Sequence, residues 1–420
     1  MSFSVQSIDG VVSRNLCTGC GLCAGKFPSA IRMVDDPING RRPVVDKPSD
    51  PAKVEALSVC AGIGTPLPPA KDGIERDWGP VLAAWEGWAA DEDIRHRGSS
   101  GGAVTALALF ALQQGQVSGV AHIAARNSDA RLNETVISRD RAGLLRAAGS
   151  RYAQASPGEI LPEVMAHDGP VAFVGKPCDV ASLVKASKAD EKLAAQIGMT
   201  FAIFCAGAPN LHATNILLDR LEVPKNAKLT ELRYRGEGWP GLMKARYIDA
   251  GGQSHESKGI PYAEGWGRIL QVERRWRCRI CDDHTGIYAD ISIGDPWHNP
   301  PEGDLDDGRS LIVAKTDRGR ALVEAAIAAG AIVAEPCNRE IIYAAQPNLM
   351  DTNAAVWGRR LAMRLMLLDV PKGGGAARFS IWWRHLGTKA KLQSVAGTLK
   401  RIIRMKLWQP VTISEEGKER

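Results

Sequence analysis

The chain has 420 residues, 45% of them hydrophobic and 24% charged, which suits an ordinary soluble protein of two or three domains and excludes a disulfide miniprotein or a disordered tail. The formal net charge of +6 is uneven, since residues 359–420 carry 14 Lys/Arg against 4 Asp/Glu while residues 1–358 carry 39 against 43. A nucleic-acid binder spreads positive charge over its folded face, so a basic stretch confined to the tail argues against DNA or RNA and for a surface or partner contact.

Residues 1–75 are rich in Gly and Pro up to Thr65-Pro-Leu-Pro-Pro69 and read as a loop-rich module and linker, whose cohesion must come from something besides a core. From Trp85 to Ile137 a Gly-rich turn leads into a helix over about Ala103–Gln114 that is apolar on nearly all faces, then strands near Val117–Ala124 and Glu134–Ser138. Pro170–Val174 and Thr200–Phe204 are continuous apolar runs followed by helical stretches, Val180–Ser187 and Ala213–Leu221, as in βαβ units. Residues 229–295 alternate like strands, Gly319–Ala329 is a helix before the strand Ala331–Ala334, and the body closes near residue 345. Leu392, Val395, Leu399 and Ile402 then recur at helical spacing among Lys391, Lys400, Arg401 and Arg404. This amphipathic basic helix either docks on the body or meets a membrane surface or protein partner. No window reaches the roughly 18 apolar residues of a bilayer span, and Met1-Ser-Phe-Ser-Val lacks the charged and apolar regions of a leader, so a cytoplasmic location is expected.

Nine cysteines in a reducing compartment point to metal or redox work. Cys17-Thr-Gly-Cys20-Gly-Leu-Cys23 is the C-x2-C-x2-C run with which one loop wraps three corners of a [4Fe–4S] cluster, with zinc or free thiols as the alternatives. Phe27 stands where a fourth Cys commonly precedes Pro, and the nearest spare thiolate is Cys60. A second set, Cys178, Cys205, Cys278 and Cys281, has two members after strands, at the carboxyl edge where open α/β sheets collect ligands. A second cluster, a structural zinc site and unligated thiols are the alternatives there. Cys337 is left as a packed thiol.

Arg97-Gly-Ser-Ser-Gly-Gly-Ala103 opens a helix with backbone N–H groups and hydroxyls, either a phosphate cradle or a turn with its cap. At this point the sequence resembles the coenzyme F420 hydrogenase/dehydrogenase beta-subunit family, which includes 7-hydroxymethyl chlorophyll a reductases and a class of divinyl chlorophyllide reductases. The stretches that carry the likeness are Cys17–Cys23, Gly98–Leu107, Gly149–Tyr152, Val174–Cys178, Phe204–Gly207, Tyr234–Gly241, Cys278–Asp283 and Ala289–Asp295, in order over roughly residues 15–300. The resemblance implies FAD contacted by Ser99, Ser100, Gly101, Gly102 and Thr105, with Ser150, Arg151, Tyr152 and Lys176 near its pyrophosphate or ring. Arg151 and Lys176 could equally be structural cations. It also implies one or two [4Fe–4S] clusters.

The expected fold is α/β (α+β): a ferredoxin-like iron–sulfur module (1–75), a mixed-sheet flavin-binding body in two parts (76–165 and 166–345) and a helical basic tail (346–420). Clusters carry single electrons and a flavin releases pairs, so the expected protein is a reductase. Ferredoxin or another one-electron donor would feed the N-terminal cluster, and a hydride would leave FAD for an unidentified organic substrate. Tyr152, Asp179, His284 and Asp295 are the candidate proton donors, and the Glu237–Gly241 loop could line the substrate pocket through its indole. The rival from another class is a non-catalytic electron-transfer subunit of a larger hydrogenase or dehydrogenase. A homo-oligomer is compatible with either.

Overall fold

The computed structural model describes residues 5–300 and 306–414. Residues 1–4, 301–305 and 415–420 lie outside the description, and with them most of the Met1–Val5 stretch expected to lack a leader. The strands in chain order are β1 (Ile31–Val34), β2 (Arg42–Val45), β3 (Ala83–Ala89), β4 (Gly119–Arg126), β5 (Asp129–Ser138), β6 (Val171–Gly175), β7 (Ile197–Ile203), β8 (Lys228–Arg233), β9 (Leu242–Ile248), β10 (Ser254–Glu256), β11 (Ile260–Pro261), β12 (Ile291–Gly294), β13 (Ser310–Ala314) and β14 (Ile332–Cys337).

Among the described residues, eight strands form one mixed sheet in the order β14-β3-β13-β12-β7-β6-β4-β5. The central four, β12, β7, β6 and β4, run parallel, with antiparallel strands on either side. Parallel strands are covered on both faces and so read as unbroken apolar runs, as Val171-Ala-Phe-Val-Gly175 does. The period of two still sorts them. Ala172 and Val174 join Ile291, Ile293 and Ile312 under the Ala103–Gln113 and Asp317–Ala328 helices, whereas Val171 and Phe173 face the Pro177–Lys188 helix. Because β6, β7 and β12 are parallel, their carboxyl ends open at one edge. A smaller four-stranded sheet, β8 to β11, packs through its own apolar cluster beside that edge.

The structure corrects two expectations. The amino-terminal module has a core of its own, with Ile8, Val11, Leu16, Ile31 and Met33 buried together with Met363, Ile402 and Leu407 of the tail; the tail completes the apolar surface that so short a segment cannot bury alone. The tail helix, Thr388–Arg404, does not dock through the whole stripe Leu392, Val395, Leu399, Ile402. It buries Ser394, Thr398 and Ile402 and leaves Leu392 66% exposed. The facing Val356–Leu365 helix presents Gly358 where a Cβ would lie 2.0 Å from Ser394 Oγ, so close helix contact selects small residues over the leucine. Among the described residues no helix is long and apolar enough to cross a membrane.

Candidate functional site

Gly19 and Gly21 take φ of +72° and +83°, left-handed turns that side chains resist, and so curl the chain until Cys17, Cys20 and Cys23 face inward. The Gly19 amide donates to Cys17 Sγ at 3.3 Å. Cys60 follows a short helical turn, Ala56–Val59, and lines the same small cavity of about 20 Å³ as the other three. Burial and then Cys20, Cys17 and Cys60 push the Cys23 thiol well above its usual value; burial and then Cys20 and Cys17 push Cys60 up to about 12. Thiols raised in this way become thiolates readily only when cations neutralise them.

The second set assembles at the carboxyl edge of the sheet. β6 ends at Gly175, Pro177 starts the Pro177–Lys188 helix, and Cys178 sits in its first turn, where the helix dipole favours a thiolate. Cys205 follows β7; its amide donates to the His284 carbonyl at 2.9 Å, and His284 Nδ1 bonds the Cys205 carbonyl at 2.8 Å. That reciprocal pair ties Cys205 to the loop after Cys281. Burial leads the shifts again: Cys178 well above its usual value, Cys205 up to about 12 with Cys278 the next cause, and Cys281 up to about 11 with Arg277 opposing.

The two sets are neighbours. Ser182, one turn beyond Cys178, lies 3.3 Å from Cys20 Sγ and accepts from the Ala61 amide at 3.1 Å, and one turn of helix is about 5.4 Å. Arg277 donates to the Gly62 and Ala61 carbonyls at 3.0 and 3.2 Å, stitching the Cys278 loop to the Cys60 loop. Arg275, 6% exposed, donates to the Thr18 carbonyl, yet its Nε and Nη2 have no acceptor. Buried donors rarely go without partners, and cluster sulfurs would supply them. Among the described residues no three His, Cys, Asp or Glu side chains are arranged to hold a metal ion. Cys17, Cys20, Cys23 and Cys60 line one small cavity together, and a thiol set of that kind can hold either an iron–sulfur cluster or a zinc ion.

A larger cavity, about 270 Å³, opens beside the second set, and Cys205, Lys176, Asp179, Gly207 and Asp295 line it. Its floor is the start of the Ala103–Gln113 helix, which no side chain caps. Ser100, Gly101 and Gly102 precede it with φ of +53°, +73° and +71°, and a Cβ on Gly102 would sit 2.4 Å from the Ile94 carbonyl. An uncapped helix start behind a glycine turn leaves its first amides open to an anion. Asp295, just past β12, locks this loop to the opposite wall. It accepts from Arg235 Nη1 at 2.8 Å and Nη2 at 2.6 Å, from Trp239 Nε1 at 2.6 Å and from the Ser100 hydroxyl. Burial works to raise its carboxyl, but Arg235 and the other donors bring it below the usual range. Arg235 in turn lies 5.0 Å from the Tyr262 ring and 5.7 Å from the Trp297 ring, and Tyr152, Tyr262, Trp266 and Trp297 make an aromatic wall to the cavity.

Ser99, Ser100, Gly102, Thr105, Ser150, Arg151, Tyr152 and Lys176 all line this cavity, and Ser99 Oγ accepts from the Ser150 amide at 2.8 Å. Gly101 turns instead toward Gly308, with its amide on the Asp307 carbonyl at 3.1 Å. The Arg151 guanidinium is engaged by Asn133 and by the carbonyls of Leu232, Ala130 and Leu132, so it braces the wall. Lys176 Nζ holds Asp179 at 2.6 Å. Trp239 is 4% exposed and stacks on Trp297 at 5.2 Å, which places its indole behind the wall rather than in the cavity. Of the proton-donor candidates, His284 points to the Cys205 carbonyl, and burial holds it down to about 4. Sequence reasoning missed Arg235, Tyr262, Trp266 and Trp297; the first lay inside a quoted motif, but no local pattern marked the others.

Two family models match the chain, both for the beta subunit of coenzyme F420 hydrogenase/dehydrogenase: its N-terminal part over residues 84–161 and its C-terminal part over residues 168–340. The coenzyme F420 hydrogenase subunit beta of Methanothermobacter thermautotrophicus is 24% identical over 256 residues, 59% of this chain and 82% of that protein. A chain of the xenon-derivatised F420-reducing [NiFe] hydrogenase complex from Methanosarcina barkeri shares the fold, with TM-score 0.50 and 17% identity over 82% of this chain and 99% of its own. The matched stretches hold the glycine loop and the second cysteine set, while Cys17, Cys20, Cys23 and Cys60 precede them.

Proposed function

Because the chain belongs to the coenzyme F420 hydrogenase/dehydrogenase beta-subunit family of oxidoreductase components, we propose that it is a cytoplasmic iron–sulfur flavoprotein that draws single electrons from ferredoxin or a similar donor and reduces an organic acceptor by hydride. When bound, [4Fe–4S] clusters would carry electrons singly and FAD would pair them. Cys17, Cys20, Cys23 and Cys60 would hold one cluster and Cys178, Cys205, Cys278 and Cys281 the other. The Ser99–Thr105 loop would take the FAD pyrophosphate on its amides, with Ser150 and Lys176 nearby. Arg235 and Asp295 hold that loop against the aromatic wall, and the wall excludes water from one side of the cavity. Asp295 and Asp179 are engaged by cations and His284 by a carbonyl; Tyr152, which lines the cavity and is hydrogen-bonded to Tyr262, is the candidate proton donor we assign.

The observation that carries this reading is the unbroken order of parts: first cysteine set, Ser182 bridge, second cysteine set, anion cradle. Anaerobic purification with iron, sulfide and flavin assays tests it, followed by electron paramagnetic resonance after dithionite reduction. About eight irons and one FAD per chain are expected; zinc without flavin would refute the reading and return the glycine loop to being a helix start. The second reading, an electron-transfer subunit of a larger complex, draws on the names of the relatives, both parts of hydrogenases. A stoichiometric partner on copurification would favour it.

A further inference from the structure

The basic tail finds its neighbours at the second cysteine set. The Thr388–Arg404 helix runs alongside Val356–Leu365, with Ser394 against Gly358 and Ile402 grouped with Met363, so Arg401 comes beside Arg359. Arg359 Nη1 donates to the Arg279 carbonyl at 2.7 Å, Arg279 Nη2 to the Val272 carbonyl at 2.7 Å, and Arg274 Nη1 to the Ala206 carbonyl at 2.6 Å. Among the described residues none of these four arginines has an ion-pair partner: the bonds of Arg274, Arg279 and Arg359 end on carbonyls, and Arg279 Nε has no acceptor at all. Burial first, and then Arg401, Arg274 and Arg279, hold Arg359 down to about 10. Half-buried like charges are unfavourable unless counter-charges offset them; Cys278 and Glu273 lie within electrostatic reach of Arg279, whereas Arg359 faces only the other arginines. Arg274 also faces Cys278 and Cys205, Val272 beside it is 56% exposed, and Lys400 and Arg404 lie exposed within one turn of Arg401.

We propose that Arg274, Arg279, Arg359 and Arg401 form the docking site for an acidic one-electron carrier protein, so that electrons enter at the Cys178, Cys205, Cys278 and Cys281 set. The inference rests on the proposed function and moves the electron inlet away from the Cys17 loop. Complementary charge at a solvent-facing edge, with an apolar residue at its margin, is the chemistry of such transient contacts. Each transfer would oxidise the carrier by one electron and pass it to the group that Cys178, Cys205, Cys278 and Cys281 would hold, with no bond made or broken and no proton moved.

The test is binding of an oxidised, acidic plant-type [2Fe–2S] ferredoxin to the anaerobically purified full chain, by calorimetry across a salt series. Arg401→Glu is expected to weaken Kd by at least about tenfold and to flatten its salt dependence. Arg359→Gln is expected to do the same less strongly, and the exposed Lys192→Glu on a remote helix to change nothing. Arg401→Gln serves if the charge reversal impairs folding. Unchanged Kd in the arginine variants, an equal loss in Lys192→Glu, or no binding by wild type overturns the proposal. Iron and flavin assays on the same samples separate the two failures: cofactors present with indifferent Kd sink the docking site alone, and cofactors absent from wild type sink the functional reading.

Discussion

Replacing Asp295 by alanine takes away the acceptor shared by Arg235, Trp239 and Ser100. The Arg235 side chain is 3% exposed, so water cannot take over its charge. Breaking such a pair from one side costs about 3–5 kcal/mol. The two remaining orphaned donors add to this less than their separate values, because they share one network. The double variant Arg235→Met/Asp295→Leu removes both charges and is expected to recover most of the loss. Urea unfolding followed by tryptophan fluorescence on the wild type, Arg235→Met, Asp295→Leu and the double closes the cycle, with Asp295→Ala as a further single. Singles that cost under about 1 kcal/mol, or a double no better than the singles, would refute the claim that this pair locks the loop to the wall. The pH dependence gives a second check. The folded carboxyl lies below its unfolded value, so its contribution is present above about pH 4 and is lost as pH falls through the depressed value. Wild type and Asp295→Ala should therefore converge only in acid.

Cys60→Ala and Cys281→Ala are each expected to remove about four irons from a chain that otherwise holds about eight; two variants with full iron content would exclude these residues as ligands. Gly102→Ala forces a Cβ into the left-handed region, at about 1–2 kcal/mol, and against the Ile94 carbonyl, so it should lower both the melting temperature and the FAD content, and a silent variant would show that the cradle is looser than described. Burial keeps His122 neutral down to about 4, against an ordinary 6.5. Its contribution is thus intact above pH 6.5 and is lost toward pH 4, by about 3 kcal/mol. His122→Gln should flatten that stretch of the stability curve, and an identical curve would mean that other groups set it.

What could be read along the chain was whatever short-range geometry settles. Cys17, Cys20 and Cys23 are spaced so that one loop can bring them together, whatever the rest of the protein does. The Ala103–Gln113 helix and the β6 and β7 strands announce themselves because a buried element must be apolar over its whole length. The order of the sheet was not legible. Val171-Ala-Phe-Val-Gly175 is as good a strand beside β4 as anywhere else, and only the pairing of β4, β6, β7 and β12 brings Cys178, Cys205 and Asp295 to one edge. The Arg235–Asp295 lock joins residues from separate sheets, and the tail helix chose Ser394 over Leu392 because Gly358 faced it. Local spacing and periodicity are set by the backbone and its immediate neighbours, so the sequence alone determined the main buried elements and that one loop brings three cysteines together. Which distant side chains meet depends on burying every apolar face at once, and that was decided only when the sheet closed, the module docked and the tail covered both.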